Sequence, residues 1–263
     1  MNKLSIWRAD KLLCEKTGES DVQLYYRGRY KPGDEIRVAC DTPFIELQVD
    51  QAILPARLYV PSGEMVYRLP LSGDGPDAYP PAAFAKSQHV LSLRPDPRRG
   101  YRNLALNPAD QRGESRAYPH IWANVETRDE SVFAARNVID GLRIADGHGK
   151  WPYQSWGIGA RTDAFITLDF GREVLADEMV LYLRADFPHD AWWVEATAVM
   201  SDGVSLTFPL EGLEGPQRVA LGGTHRVSWI RLERFVKCDK PSAYPSLRQW
   251  EVWGQDAAQA QEV

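Results

Sequence analysis

The sequence predicts an all-β protein made of two β-sandwich domains. Short runs of alternating or β-branched apolar residues recur along the chain, separated by turns that contain Pro and Gly. No segment between residues 11 and 94 keeps a helical hydrophobic period for three turns. Residues 94–100 combine Pro, Gly and charge without apolar side chains, which is typical of a domain boundary. We therefore expect a first domain at residues 1–98, a second at 99–255 and a polar tail at 256–263.

In the first domain the strand-like runs predict a small sandwich of six or seven strands. The runs are residues 36–39, 44–49, 57–60, 66–69 and 90–93. The turn Pro-Ser-Gly-Glu at residues 61–64 is predicted to join the third and fourth runs as a β-hairpin.

The second domain carries about eight strand-like runs, a number typical of a β-sandwich or jelly roll. The runs include residues 165–170, 179–184, 194–200, 205–210, 218–221, 228–235 and 249–253. Gly171 supplies a turn after the first of them. We expect residues 165–170 and 179–184 to be antiparallel neighbours, with the start of one and the end of the other at the same end of the sandwich.

The composition is that of a globular protein with a core, at 44% hydrophobic and 25% charged residues in 263. A net charge of −5 argues against nucleic acid or an anionic membrane as the main partner, and leaves room only for a local basic patch. No stretch reaches the length of a transmembrane helix, so we expect no membrane insertion. Oligomerisation is left open by these observations.

Localisation is predicted from the first residues and from the cysteines. The first ten residues lack the apolar run and the cleavage site of a signal peptide. The three cysteines, Cys14, Cys40 and Cys238, are odd in number and match no metal-ligand spacing. We expect a reduced cytoplasmic protein, although the mature form of a secreted protein would show the same pattern.

Motifs in the second domain resemble those of a known family. They are Phe133-Ala-Ala-Arg-Asn-Val-Ile-Asp-Gly141, Ser155-Trp156, Ile166-Thr-Leu-Asp-Phe-Gly171 and the closing Glu251-Val-Trp-Gly254. The domain is similar to the discoidin-like, galactose-binding-like β-sandwich of coagulation factor C-terminal domains and family 32 carbohydrate-binding modules. The resemblance implies a jelly roll, and the family uses this scaffold for sugars, lipids and proteins alike. The first domain resembles no family that we can name.

The resemblance also implies a structural calcium ion. Family members hold it with the Asp of the Ile-Asp-Gly motif, nearby backbone carbonyls and a Glu in the last strand, and the matching positions here are Asp140 and Glu251. Carboxylate and carbonyl oxygens are the ligands that calcium prefers. The match is incomplete, because Ser155 stands where the family usually has Thr. The alternative is that Asp140 is an ordinary turn residue and Glu251 a surface residue.

Two irregular loops of the second domain are predicted to bind the ligand. Both are rich in the aromatic and polar side chains that stack on a sugar ring and bond its hydroxyls. The candidate residues are His148, Lys150, Trp151 and Tyr153 in the first loop, and Arg184, Asp186, His189, Asp190 and Trp192 in the second. We expect the loops to lie side by side. The alternatives are that Trp151 folds back to pin its loop, and that Arg184 pairs with Asp186 or Asp190 only to stiffen the second loop.

The function predicted from these loops is non-catalytic binding of a saccharide. One alternative is a carbohydrate-active enzyme such as a glycoside hydrolase, which would use the His, Asp and Arg side chains of the second loop. The sequence has no nucleophile elbow, no His-Glu-x-x-His and no Gly-rich phosphate loop, so we assign no catalytic residue. A protein-interaction or assembly module is a further alternative. Trp156 and Trp193 are predicted to lie in the core.

Overall fold

The computed structural model describes residues 1–96, 100–113, 115–147, 149–185 and 191–257. Antiparallel strands make up most of the chain, which confirms the all-β fold class. Helical structure in these residues is limited to short 3₁₀ segments, at Gly75–Ala78, Thr127–Asp129, Ser131–Phe133 and Ala135–Ile139. None of the described helices is long and apolar enough to span a membrane.

The first sandwich consists of two four-stranded sheets. Its strands are β1 (Asn2–Arg8), β2 (Lys11–Gly18), β3 (Val22–Tyr26), β4 (Asp34–Ala39), β5 (Phe44–Gln48), β6 (Ala56–Tyr59), β7 (Glu64–Arg68) and β8 (His89–Pro95). One sheet has the order β2-β1-β4-β7 and the other β3-β8-β5-β6. Alternate residues of both sheets, such as Leu4, Ile36, Ile45 and Leu91, are fully buried in one shared core.

The hairpin predicted at residues 61–64 is wrong. Strand β6 pairs with β5 in one sheet, whereas β7 pairs with β4 in the other. The turn therefore carries the chain from one sheet to the opposite sheet. It is held there by backbone hydrogen bonds from Val60 N to Pro43 O (2.7 Å) and from Cys40 N to Gly63 O (2.8 Å). A turn sequence determines where the chain reverses. Which strands then pair depends on which face of each strand is buried.

The second sandwich is built from the remaining strands. They are β9 (Arg102–Asn103), β10 (His120–Ala123), β11 (Trp156–Gly157), β12 (Ile166–Arg184), β13 (Trp193–Met200), β14 (Ser205–Pro209), β15 (Gln217–Lys237) and β16 (Ser246–Asp256). Their hydrogen-bonded order is β11-β16-β12-β15-β13-β14, with β10 on β12 and β9 on β16. The long strands wrap this sheet around one apolar core.

The two strands predicted around Gly171 are a single strand, β12. Its pairing with β15 continues on both sides of Gly171, with a register shift between Asp169 and Val174. Gly171 has φ +64, and a Cβ at this position would overlap the ring of Tyr118. The glycine therefore forms a bulge that bends the strand without reversing it. The antiparallel pairing expected between residues 165–170 and 179–184 is wrong, because both belong to one strand.

The predicted core tryptophans are confirmed. Trp156 is fully buried, and Trp193 is 1% exposed. Their ring centroids lie 6.2 Å apart, and the Trp156 indole N–H donates to Val125 O at 2.8 Å. A buried indole that keeps a hydrogen-bond partner contributes its large apolar area without leaving a polar atom unpaired.

The two sandwiches share a contact built around Arg172. The Arg172 guanidinium lies 5.5 Å from the Phe44 ring centre and 5.3 Å from that of Tyr59, both in the first sandwich. It also binds Asp256, with Nε 2.8 Å from Oδ1. Asp256 is the last residue of β16. Residues 258–263 lie outside the described residues. The predicted domain boundary at 98–99 also lies outside them.

Candidate functional site

The loop of residues 142–154 docks against the first sandwich. The Trp151 backbone N–H donates to Asp77 O at 2.8 Å, and Lys150 Nζ lies 3.6 Å from Asp77 Oδ1. Asp77 belongs to the 3₁₀ segment Gly75–Ala78 of the first domain. Lys150 is 78% exposed at its side chain, so this ion pair contributes little. The loop is thus fixed chiefly through its backbone, and it closes a space between the two sandwiches.

That space is a pocket of about 120 Å³. Its walls are mostly apolar, formed by Ala52, Ile53, Leu54, Ala78, Tyr79, Pro80, Pro108, Leu142 and Trp151. Three polar residues, Arg136, Asp140 and Gln154, complete the lining. Apolar and aromatic walls with a few fixed polar groups are typical of sites for small molecules.

The polar groups of the pocket are held rigidly. Gln154 is 1% exposed, and its Nε2 donates to Asp140 Oδ2 at 3.0 Å. Arg136 donates to the carbonyl oxygens of Asp110 (3.0 Å) and Pro108 (3.1 Å), and it stacks over the Tyr79 ring at 4.6 Å. The Gln154 Oε1 atom is buried and has no hydrogen-bond partner in the described structure. A buried acceptor without a partner is energetically costly.

Tyr153 and Arg184 were predicted to contact a ligand, but both are buried. Each is 1% exposed. Arg184 Nη1 donates to Tyr153 O at 2.7 Å, and its guanidinium carbon lies 4.2 Å from the Tyr153 ring centre. The Tyr153 ring packs edge-on to Phe133, with centroids 5.7 Å apart. Neither side chain has a free face for a sugar, so we correct their predicted role from ligand contact to support of the loop.

Tyr153 of the first predicted loop contacts Arg184, the residue at which the second predicted loop begins. The reason differs from the expected hairpin: β11 and the end of β12 pair with the same residues of β16, Ser246 and Leu247. Four predicted residues, His148, Asp186, His189 and Asp190, lie outside the described residues, and their assignment stays a prediction.

Trp192 packs within the second sandwich. Its ring covers Gly212, where a Cβ would overlap the indole, and its backbone N–H points at Cys238 Sγ at 3.4 Å. Trp151, in contrast, lines the pocket against the first sandwich. Trp151 and Trp192, which were predicted to share one binding surface, therefore lie in two different environments.

The residues matched to the calcium site do not fit a metal ion. Arg248 Nη2 lies 3.6 Å from Asp140 Oδ1, and Arg143 Nε donates to Glu251 Oε1 at 2.6 Å. Both carboxylates thus already have a cationic partner. Within the described residues no group of three or more His, Cys, Asp or Glu side chains is arranged to hold a metal. Burial lowers the pKa of Arg248, and the charge of Asp140 opposes this.

A larger groove, of about 850 Å³, lies between β1, β4 and β7 of the first sandwich and residues 109–113 and 115–117. It contains Trp7 and several cations, but the Arg37 guanidinium covers the Trp7 ring at 4.5 Å. Arg37 also pairs with Glu35 (3.1 Å), and Lys3 pairs with Glu15 (2.6 Å). Because the aromatic face is covered and these charges are compensated, we favour the smaller pocket as the candidate site.

Comparison with solved structures finds similar modules. The chitosan-binding module 1 of a Paenibacillus sp. IK-5 chitosanase/glucanase is 17% identical, with a TM-score of 0.42, over 59% of this chain and 100% of that one. The family 32 CBM from C. perfringens NanJ in complex with galactose is 14% identical, with a TM-score of 0.36, over 51% and 91%. A Streptococcus pneumoniae fucose binding module is 13% identical, with a TM-score of 0.42, over 59% and 97%. No protein-family model and no curated protein matches the chain.

Three residues of the pocket were missed by the sequence reasoning. Tyr79 lies in the Pro- and Gly-rich segment 72–81, which reads as a polar loop. Arg136 lies inside a motif that was assigned to the fold, and Gln154 lies at the end of the predicted loop without being singled out. The available signal was the concentration of aromatic residues and proline in residues 79–84, but nothing in the sequence places that segment beside Gln154.

Proposed function

We propose that the protein binds a saccharide non-covalently, without turnover, in the pocket between the two sandwiches. The observation that carries the proposal is the lining of this pocket, where the aromatic ring of Trp151 stands beside the polar side chains of Asp140 and Gln154. A sugar hydroxyl is a neutral donor, and the Asp140 carboxylate is an acceptor with room for further donors. Gln154 is fixed by its own hydrogen bond to Asp140, so the acceptor is already oriented before a ligand arrives.

The rest of the pocket suits the two sides of a sugar ring. Trp151 supplies an aromatic wall for a C–H face. Asp140 accepts hydrogen bonds from Leu142 N (2.8 Å) and Gln154 Nε2 (3.0 Å), and a carboxylate has capacity for further donors. The volume of about 120 Å³ suits one sugar ring or part of it, so we expect the end of a glycan to enter rather than a chain to thread through.

Calorimetric titration with monosaccharides and a glycan array test the proposal. Binding at a single pocket of this size is expected to be weak, with a dissociation constant of roughly 10 µM to 1 mM, or about 4–7 kcal/mol. Trp151→Ala and Gln154→Leu should each remove measurable binding. Trp122→Ala is the matched control, because Trp122 is 41% exposed on β10 and does not line the pocket.

Three results would contradict the proposal. One is saccharide binding that Trp151→Ala and Gln154→Leu leave unchanged, which would move the site elsewhere. Another is hydrolysis of a bound glycan, which would favour the carbohydrate-active enzyme. The third is binding only to another protein, with no glycan bound at millimolar concentration, which would favour an interaction module.

A further inference from the structure

Arg248 is a buried arginine whose guanidinium binds the turn at residues 137–144. It lies on β16, 1% exposed, beside the turn that contains the Ile-Asp-Gly motif. Its Nε donates to Ile144 O at 2.8 Å and its Nη1 to Asn137 O at 3.4 Å. Its Nη2 lies 3.6 Å from Asp140 Oδ1 and makes no hydrogen bond in the described structure. One carboxylate and two carbonyl oxygens, from both sides of the turn, therefore converge on one guanidinium.

These oxygen atoms are of the kind that a hard cation prefers, one carboxylate with backbone carbonyls from a single turn. We propose that the Arg248 guanidinium is a built-in cation, which takes the place of a calcium ion and fastens residues 137–144 to β16. The turn is also tied to this strand by a neutral hydrogen bond, from Gly141 N to Gln249 Oε1 at 3.2 Å. The inference concerns the stability of the fold and does not depend on the proposed saccharide binding.

The second carboxylate of the implied calcium site is compensated in the same way. Glu251 is 2% exposed, and it accepts hydrogen bonds from Arg143 Nε (2.6 Å) and from the Trp253 indole N–H (2.8 Å). Arg143 comes from the loop and Glu251 from β16, so this pair fastens the same two segments as Arg248 does. The chain thus supplies two arginines where the resemblance implies one divalent ion.

A divalent ion would have to displace the guanidinium. Calcium binds carboxylate oxygens at about 2.3–2.6 Å. An ion at that distance from Asp140 would stand within a few ångströms of the Arg248 charge, in a site with little water to screen the repulsion. The protein with Arg248 in place should therefore be indifferent to calcium.

Thermal unfolding of the full-length protein tests this directly. With calcium or with a chelator such as EDTA, the Tm should stay within about 1 °C, since a ligand that does not bind the folded state does not stabilise it. A saturable rise in Tm with calcium, or a loss with EDTA, would overturn the proposal.

Arg248→Ala provides the complementary test, because it empties the position of the cation. We expect its Tm to fall by roughly 6–20 °C, since it leaves a buried carboxylate uncompensated. Calcium at ten times its dissociation constant should then return about 3–6 °C. The double variant Asp140→Asn/Arg248→Ala should not respond, and neither should Arg218→Ala, whose side chain is 64% exposed.

The outcomes of the variant experiment separate the proposal from a purely structural role. If Arg248→Ala folds only with calcium, the comparison is made on refolding yield with and without the ion, and a higher yield with calcium supports the proposal. If Arg248→Ala is destabilised but indifferent to calcium in both measurements, Arg248 does not stand in a cation position and the proposal is wrong.

Discussion

The Arg184 guanidinium lies over the Tyr153 ring, with its carbon 4.2 Å from the ring centre, and its Nη1 donates to the Tyr153 carbonyl oxygen at 2.7 Å. The end of β12 is thereby fixed to the end of the loop 142–154, just before β11. Gln154, the next residue, lines the pocket. Arg184 therefore supports the residues that precede the pocket residue Gln154, and it is too buried to contact a ligand itself.

We expect Arg184→Ala to destabilise the protein. The substitution removes a charge-assisted hydrogen bond from a buried site, so the free energy of unfolding should fall by about 1.5–3 kcal/mol. Arg184→Lys should recover little, because an ammonium lacks the planar group that stacks on the ring. Urea unfolding monitored by tryptophan fluorescence measures both. An unchanged midpoint combined with a loss of saccharide binding would restore the ligand-contact role first predicted for Arg184.

Gly254 is expected to tolerate no side chain. It pairs with Ala176 of β12, and a Cβ there would overlap the Leu175 carbonyl oxygen and crowd Ala176 Cα. Because the obstacle is backbone, Gly254→Ala should cost about 3 kcal/mol, the upper end of the range for overpacking. Gly100→Ala is the control: among the described residues no atom outside its chain neighbours lies within 4 Å of its Cβ position, and the change should be within about 1 kcal/mol. Equal urea midpoints for the two variants would contradict this prediction, because they would show that β12 and β16 can move apart to admit a methyl group.

His120 is expected to make stability depend on pH. Burial lowers the pKa of His120, but the hydrogen bond from its Nδ1 to Asp110 Oδ1 (2.8 Å) and the charge of Asp110 outweigh burial and raise the pKa above its usual value. A raised pKa means that folding favours the protonated imidazole. Its contribution is therefore complete below about pH 6.5, the value for an unfolded chain, and is lost as the pH rises through the folded pKa.

The measurement is urea unfolding at a series of pH values between about 6 and 9. The free energy of unfolding should fall with rising pH in the wild type, and this fall should be smaller in His120→Gln. His225→Gln is the matched control, because it removes a different histidine, which pairs with Asp202 near the surface (2.7 Å). A pH profile that His120→Gln leaves unchanged would assign the dependence to other groups.

Several features of the fold follow directly from local sequence. Alternation identified β4 to β8 and most strands of the second sandwich, because a half-buried strand must place apolar residues on one face. The strands β1, β2 and β3 were not identified, although Leu4 and Ile6 of β1 alternate with polar residues and β3 alternates between buried and exposed positions. The burial of Trp156 and Trp193 was predictable because both flank apolar strands. These statements need only residues that are neighbours in the chain.

What the sequence by itself determined is the fold class, the second domain's strand content and the loop 142–154 as an irregular segment with Trp151. Only the tertiary structure decided that Gly171 bends a strand rather than reversing it, that Arg184 is buried, that Arg248 faces Asp140, and that Tyr79 of the first sandwich completes a pocket with Gln154. The physical reason is separation along the chain. Periodicity reports which face of a strand is buried, but it carries no information about which distant segment covers that face.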